Sequence, residues 1–144
     1  MNSDKEIKTI SLDQDEDLLE LYNSNTSWIL TKNQAKLSDL IAEALKGDPG
    51  CSKIELKKED WILEKVTEFV KYHYDNPMAT IEKPIKSANF NELVSDWDFK
   101  FLNNIKNSDL IELTTNADYF IIKDLLSLCL CKLACLVKSN ASFD

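Results

Sequence analysis

The run Tyr119-Phe120-Ile121-Ile122-Lys123-Asp124-Leu125-Leu126-Ser127-Leu128-Cys129-Leu130-Cys131-Lys132-Leu133-Ala134-Cys135-Leu136-Val137 decides how the rest of the chain is read. It is almost continuously apolar and falls near the lower length limit of a membrane span, about 17–25 residues. Lys123, Asp124 and Lys132 oppose insertion, each costing about 2.5–3.5 kcal/mol at mid-bilayer. The run reads instead as a helix apolar nearly all round, enclosed by the domain on one side. Its other side is either core as well or a partner surface. Leu130, Leu133 and Val137 fall at i, i+3 and i+7 and share one stripe. Cys131 and Cys135 share a helix face while Cys129 points roughly opposite Cys131, so the three thiols read as small buried hydrophobes.

Working towards the N-terminus, Ser108 is placed to cap a helix with Leu110, Leu113 and Ala117 inward. Trp97, Phe101, Leu102 and Ile105 mark a helical stretch before it. From Asn76 to Asp96 periodicity disappears and Pro77 and Pro84 intrude, which predicts a mobile loop over about residues 76–96. Glu59 to Tyr74 carries Ile62, Val66, Phe69 and Val70 on one helical face, with Trp61 beside it, and stops at Asp75-Asn76-Pro77 because proline cannot continue a helix. Ile54 and Leu56 mark a short strand. Thr31-Lys32-Asn33-Gln34 fits a capping box. The apolar positions Leu37, Leu40, Ile41, Ala44 and Leu45 behind it predict one amphipathic helix, ended by Gly47 in a left-handed conformation. Lys5 to Leu12 and Leu18 to Tyr22 read as strands of a hairpin around the acidic turn Asp13–Asp17. Three short strands, helices, a long loop and further helices make an α+β pattern.

Composition narrows what such a domain does. The chain has 144 residues, a net charge of −8, 44% hydrophobic and 29% charged residues, which suits one soluble domain. Gly47 and Gly50 are its two glycines, too few for a loop whose backbone cradles phosphate. The acidic surplus argues against nucleic-acid binding, which Lys and Arg drive by releasing counterions. A polar N-terminus, Met1-Asn2-Ser3-Asp4-Lys5-Glu6, places the protein in the cytoplasm and nucleus, where its cysteines would be free thiols. Zinc sites need paired Cys or His ligands; Cys51 lies far from the other three cysteines. His73, the only imidazole, reads as a cation favourably placed by a helix C-terminus. No catalytic residue, metal site or cofactor is expected.

Three stretches carry a resemblance. Phe69 to Pro77 reads F-V-K-Y-H-Y-D-N-P, Asp96 to Leu102 reads D-W-D-F-K-F-L, and Asn116 to Leu126 reads N-A-D-Y-F-I-I-K-D-L-L. In this order they resemble the helix exit, the W-D-x-x-F-L segment and the A-A-N-Y-L-D-I-K-x-L-L segment of the S-phase-kinase-associated adaptor proteins. The resemblance covers about residues 7 to 139. It implies a BTB/POZ-like fold, related to elongin C, with a small three-stranded sheet wrapped by about five to six helices. It further implies a non-enzymatic adaptor at residues 1–139, followed by a short tail at 140–144. Such adaptors bridge a cullin scaffold to an F-box substrate receptor in a ubiquitin ligase.

By that resemblance the cullin contact falls on Asp118 and Tyr119, and the F-box contact on Leu130, Leu133, Leu136 and Val137. Asp118 stands where the family has asparagine, Ile121 where it has aspartate, and Asp124 where it has glycine. Family members continue with two further helices opening T-P-E-E-I, whereas this chain ends at Ser139-Asn140-Ala141-Ser142-Phe143-Asp144; the expectation is a truncated or a natural short form. Neither nucleic acid nor membrane is an expected partner. The alternative is a structural BTB/POZ module outside ubiquitin ligases that self-associates as a weak homodimer. A thiol-dependent enzyme or sensor using Cys129, Cys131 or Cys135 is a third and remoter reading.

Overall fold

A computed structural model describes residues 17–139. They form an α+β structure with a three-stranded open sheet and six helices, in two compact units that divide between Asn76 and Pro77. The expected strand Lys5–Leu12 and most of the acidic turn lie outside the described residues.

In the first unit, β1 (Leu18–Tyr22) runs antiparallel to β2 (Ser27–Thr31) and parallel to β3 (Lys53–Glu55), giving the order β2-β1-β3. Among the described residues both edges of β1 are therefore taken, and its hairpin partner is β2, which alternation did not reveal. Trp28-Ile29-Leu30 is a continuous apolar run, although only Leu30 is buried. Asn23 makes the turn. Its Oδ1 accepts from the Asn25 and Thr26 amides at 2.8 and 2.9 Å, an Asx turn. Its Nδ2 donates to the Lys58 carbonyl and to Asp60 Oδ1.

The capping box forms as read: Thr31 Oγ1 accepts from the Gln34 amide, and Gln34 Oε1 from the Thr31 amide. It starts only the four-residue helix α1 (Lys32–Ala35). The single helix expected over Leu37 to Leu45 is broken, because buried Ser38 accepts from the Ile41 amide and caps a separate helix α2 (Asp39–Gly47). Leu37 consequently stays exposed, and Ile41 and Leu45 carry the buried face. Gly47 is the last residue of α2, and neither glycine has a positive φ. The left-handed stop expected there is not used. Helix α3 (Asp60–Asp75) buries Ile62, Leu63, Val66, Phe69 and Val70, each worth about 1.5–3 kcal/mol when fully removed from water.

In the second unit, Ile81 and Phe90 are buried within the stretch that shows no periodicity, and Phe90–Glu92 forms a 3-10 turn. Ser87 Oγ and Asn89 Nδ2 donate to the Glu92 carboxylate, and these bonds hold its pKa below the ordinary value. Helix α4 (Asp96–Leu102) opens on Ser95, whose Oγ accepts from the Asp98 amide, and Trp97 stacks on Phe101 with centroids 5.0 Å apart. Ile105 lies beyond its end. Helix α5 (Asn107–Phe120) has Lys106, not Ser108, at its N-cap position, and Leu110, Leu113 and Ala117 are inward as read.

The apolar run from Tyr119 is two helices and not one. Helix α5 ends at Phe120, and α6 spans Lys123–Lys138. Between them Ile121 sits at φ 54°, ψ 55°. Its amide donates to the Asp118 carbonyl and the Ile122 amide donates to the Ala117 carbonyl, the two bonds of a Schellman stop. Buried Ile122 and Ala117 supply the accompanying apolar pair. Nothing in the local composition announces this turn, since it places a β-branched residue where glycine is usual.

Candidate functional site

Helices α5 and α6 both bury one face and turn another, partly apolar, towards solvent. On α6, Leu125, Leu128, Cys129, Cys131 and Cys135 point inward. At 100° per residue the opposite face holds Leu130, Leu133 and Val137. Leu130 is 45% and Val137 62% exposed, while Leu133 and Leu136 are half-buried. The alternatives of core or surface for this side thus resolve to surface. Leu136 projects between Leu125 and Cys129, on the inward side, and so falls outside the stripe it was expected to join. The charges of α6 gather at its ends, apart from Lys132, whose Nζ lies 5.0 Å from the Phe90 ring centroid.

On α5, Asp118 is exposed and Tyr119 is 49% exposed, its ring edge-on to Phe120 at 5.1 Å. A core position for Tyr119 is thereby excluded. Two residues not expected at the site are exposed as well: Ile111 is 47% and Ile121 45% exposed. Ile111 and Tyr119 lie at i and i+8, with Thr115 between them spending its hydroxyl on the Ile111 carbonyl. The signal for Ile111 was present, because it is out of phase with the inward stripe Leu110, Leu113 and Ala117. Ile121 could not be found that way, because its exposure depends on the left-handed turn.

The three thiols of α6 are ill suited to nucleophilic chemistry. Burial pushes Cys129 up to about 12, against a weaker opposing hydrogen bond with Thr114. Cys131 is raised to about 11, chiefly by burial and then by its neighbour Cys135. Burial also raises Cys135. A reactive cysteine needs exposure and a lowered pKa. His73 is buried, and its Nδ1–H donates to the Asn76 carbonyl at 2.6 Å, so the ring closes the end of α3 as a hydrogen-bond donor. Among the described residues no three His, Cys, Asp or Glu side chains cluster to hold a metal, and no helix is long and apolar enough to cross a membrane.

No protein-family model matches the chain. Over 85 residues it is 38% identical to the S-phase kinase-associated protein 1 homolog of Tetrahymena thermophila, covering 59% of this chain and 50% of that protein. The chain therefore spans about half the length of the curated relative it matches, whose name is that of the S-phase-kinase-associated proteins that the three sequence stretches resemble.

Proposed function

We propose that this chain is a non-catalytic adaptor of the S-phase-kinase-associated type, with a BTB/POZ-like fold, that links a cullin scaffold to an F-box substrate receptor in a ubiquitin ligase. Asp118 and Tyr119 would meet the cullin, and Leu130, Leu133, Leu136 and Val137 the F-box. The proposal extends to action in the cytoplasm and nucleus. The observation that carries it is the exposure of apolar side chains on two consecutive helices, Tyr119 on α5 and Leu130 and Val137 on α6. Similarity to the Tetrahymena protein supports the same reading.

Tyrosine suits an interface anchor because it offers a large ring with little rotamer entropy to lose. Tyr119→Ala is expected to weaken capture of a cullin N-terminal domain by about 1–3 kcal/mol, read by titration calorimetry, with the melting temperature unchanged. Equal affinity of variant and parent removes Tyr119 from a cullin site. In the other arm, Val137→Asp is expected to abolish co-purification with an F-box domain.

A self-associating scaffold draws on one observation, the 48% exposure of Ile29 on the edge strand β2. Sizing across a concentration series separates the readings: a persistent monomer that binds the F-box domain rules the scaffold out.

A further inference from the structure

Residues 81–85 stand against α6 and turn part of its exposed stripe into a cleft. Ile81, Pro84 and Ile85 form one wall, and Leu130 and Ala134 the other, around a space of about 350 Å³. Cys131 also lines it, buried and neutral, so that surface is apolar as well. A volume near the lower end of the usual range for ligand sites, about 300–1,000 Å³, admits a few aliphatic side chains from one face of a helix.

Charge decides what kind of helix. The one charged residue lining the cleft is Lys83, which is exposed. Among the described residues no carboxylate lines this cleft, and Glu82 is turned to Lys86 at 3.5 Å. An apolar cleft whose one charged lining residue is a lysine is an exception in a chain of net charge −8.

We infer that the cleft between residues 81–85 and α6 receives the apolar face of an acidic amphipathic helix from a protein partner, with Lys83 reading a carboxylate beside its anchor. The inference rests on the adaptor reading of α6 and adds the chemistry of the partner. It makes residues 81–85 a selector of receptors, because opposite charge at the rim favours acidic partners and like charge rejects basic ones.

The test uses two fluorescein-labelled helical peptides with the same leucine stripe at i, i+3 and i+7, one flanked by Glu and one by Lys. Anisotropy titration of the full chain is expected to show the Glu peptide binding at least about tenfold more tightly at low salt, with the gap narrowing as salt rises. Lys83→Glu, an exposed substitution that leaves the fold alone, is expected to reverse the preference, and Ala134→Trp to exclude both peptides by filling the cleft. Equal binding of the two peptides, or a preference that Lys83→Glu leaves intact, overturns the inference. So does a concentration-dependent dimer that the Glu peptide does not dissociate, because a second copy then occupies the cleft. An F-box domain is titrated in parallel. If it binds and the Glu peptide fails to compete, the cleft inference falls and the adaptor reading stands. If the Glu peptide binds with the expected charge dependence and the F-box domain does not, the adaptor reading falls and the cleft stands.

Discussion

Helices α3 and α6 have the same length, 16 residues, yet they present opposite exteriors. Helix α3 hides Ile62, Leu63, Val66, Phe69 and Val70 and turns Glu64, Glu68 and Lys71 outward. Helix α6 hides Leu125, Leu128 and its three thiols and turns Leu130 and Val137 outward. Both have an apolar stripe of helical period, so periodicity alone ranks them alike. The outer face tells them apart. A helix that has finished its packing is charged on the far side, and one left apolar there offers its stripe to something else.

The comparison breaks most directly at single leucines. Leu63→Ala on α3 is expected to cost about 2–5 kcal/mol in urea unfolding, because Leu63 is fully buried. Leu130→Ala on α6 should cost well under half of that, because Leu130 already meets water. If Leu130→Ala costs as much as Leu63→Ala, the outer stripe of α6 belongs to the core and the contrast is lost.

Alkali should act on α6 through its thiols. Burial raises the Cys129 thiol to about 12 in the fold, against an ordinary value of 9.0. Between those pH values the unfolded chain has released a proton that the folded chain still holds, so stability falls as pH rises. The expected slope is about 1.4 kcal/mol per pH unit for this thiol, with full stability retained below pH 9. Denaturant midpoints measured from pH 8 to 11 check this, and Cys129→Ala should flatten the decline. An unchanged slope in that variant would place the alkaline loss elsewhere.

The smallest effect concerns the turn that opens α6. A left-handed conformation costs an L-residue roughly 1–2 kcal/mol, and asparagine tolerates it better than isoleucine does. Ile121→Asn is therefore expected to raise stability by about 1 kcal/mol or less, seen as a higher melting temperature. A lower one would show that the Ile121 side chain, though 45% exposed, contributes more by its contacts than its backbone loses.

Much of this was legible in the residues, and what was missed has physical causes. Helix α3 follows from Ile62, Val66, Phe69 and Val70, because one amphipathic face needs no knowledge of its partner. The Thr31–Gln34 box was legible because capping is a local exchange of two hydrogen bonds. The break at Ser38 was not, because the apolar spacing runs straight across it and only a side chain bonded to the Ile41 amide gives it away. The stop at Ile121 was hidden for the converse reason: the Schellman bonds are backbone bonds, and isoleucine gives no turn signal. At the candidate site, spacing gathered Leu130, Leu133 and Val137 onto one stripe. Which way the stripe faces depends on where Phe90 and residues 81–85 settle, and those residues have no periodicity to read.

The capping box bears on how this protein behaves when crowded. The bonds from the Lys32 amide to the Asp17 carbonyl and from the Asn23 amide to the Thr26 carbonyl set the alternation of the β1–β2 ladder. That alternation leaves the amides of Ser27, Ile29 and Thr31 on the open side of β2. Such an edge is a template on which other chains can stack into aggregates. Gln34 Oε1 occupies the Thr31 amide, so the bond that starts α1 also shortens the template at one end, to the amides of Ser27 and Ile29. Concentrated solutions of a Gln34→Ala variant would lack that guard, and fibril growth or turbidity would begin at the strand and not at the apolar helix.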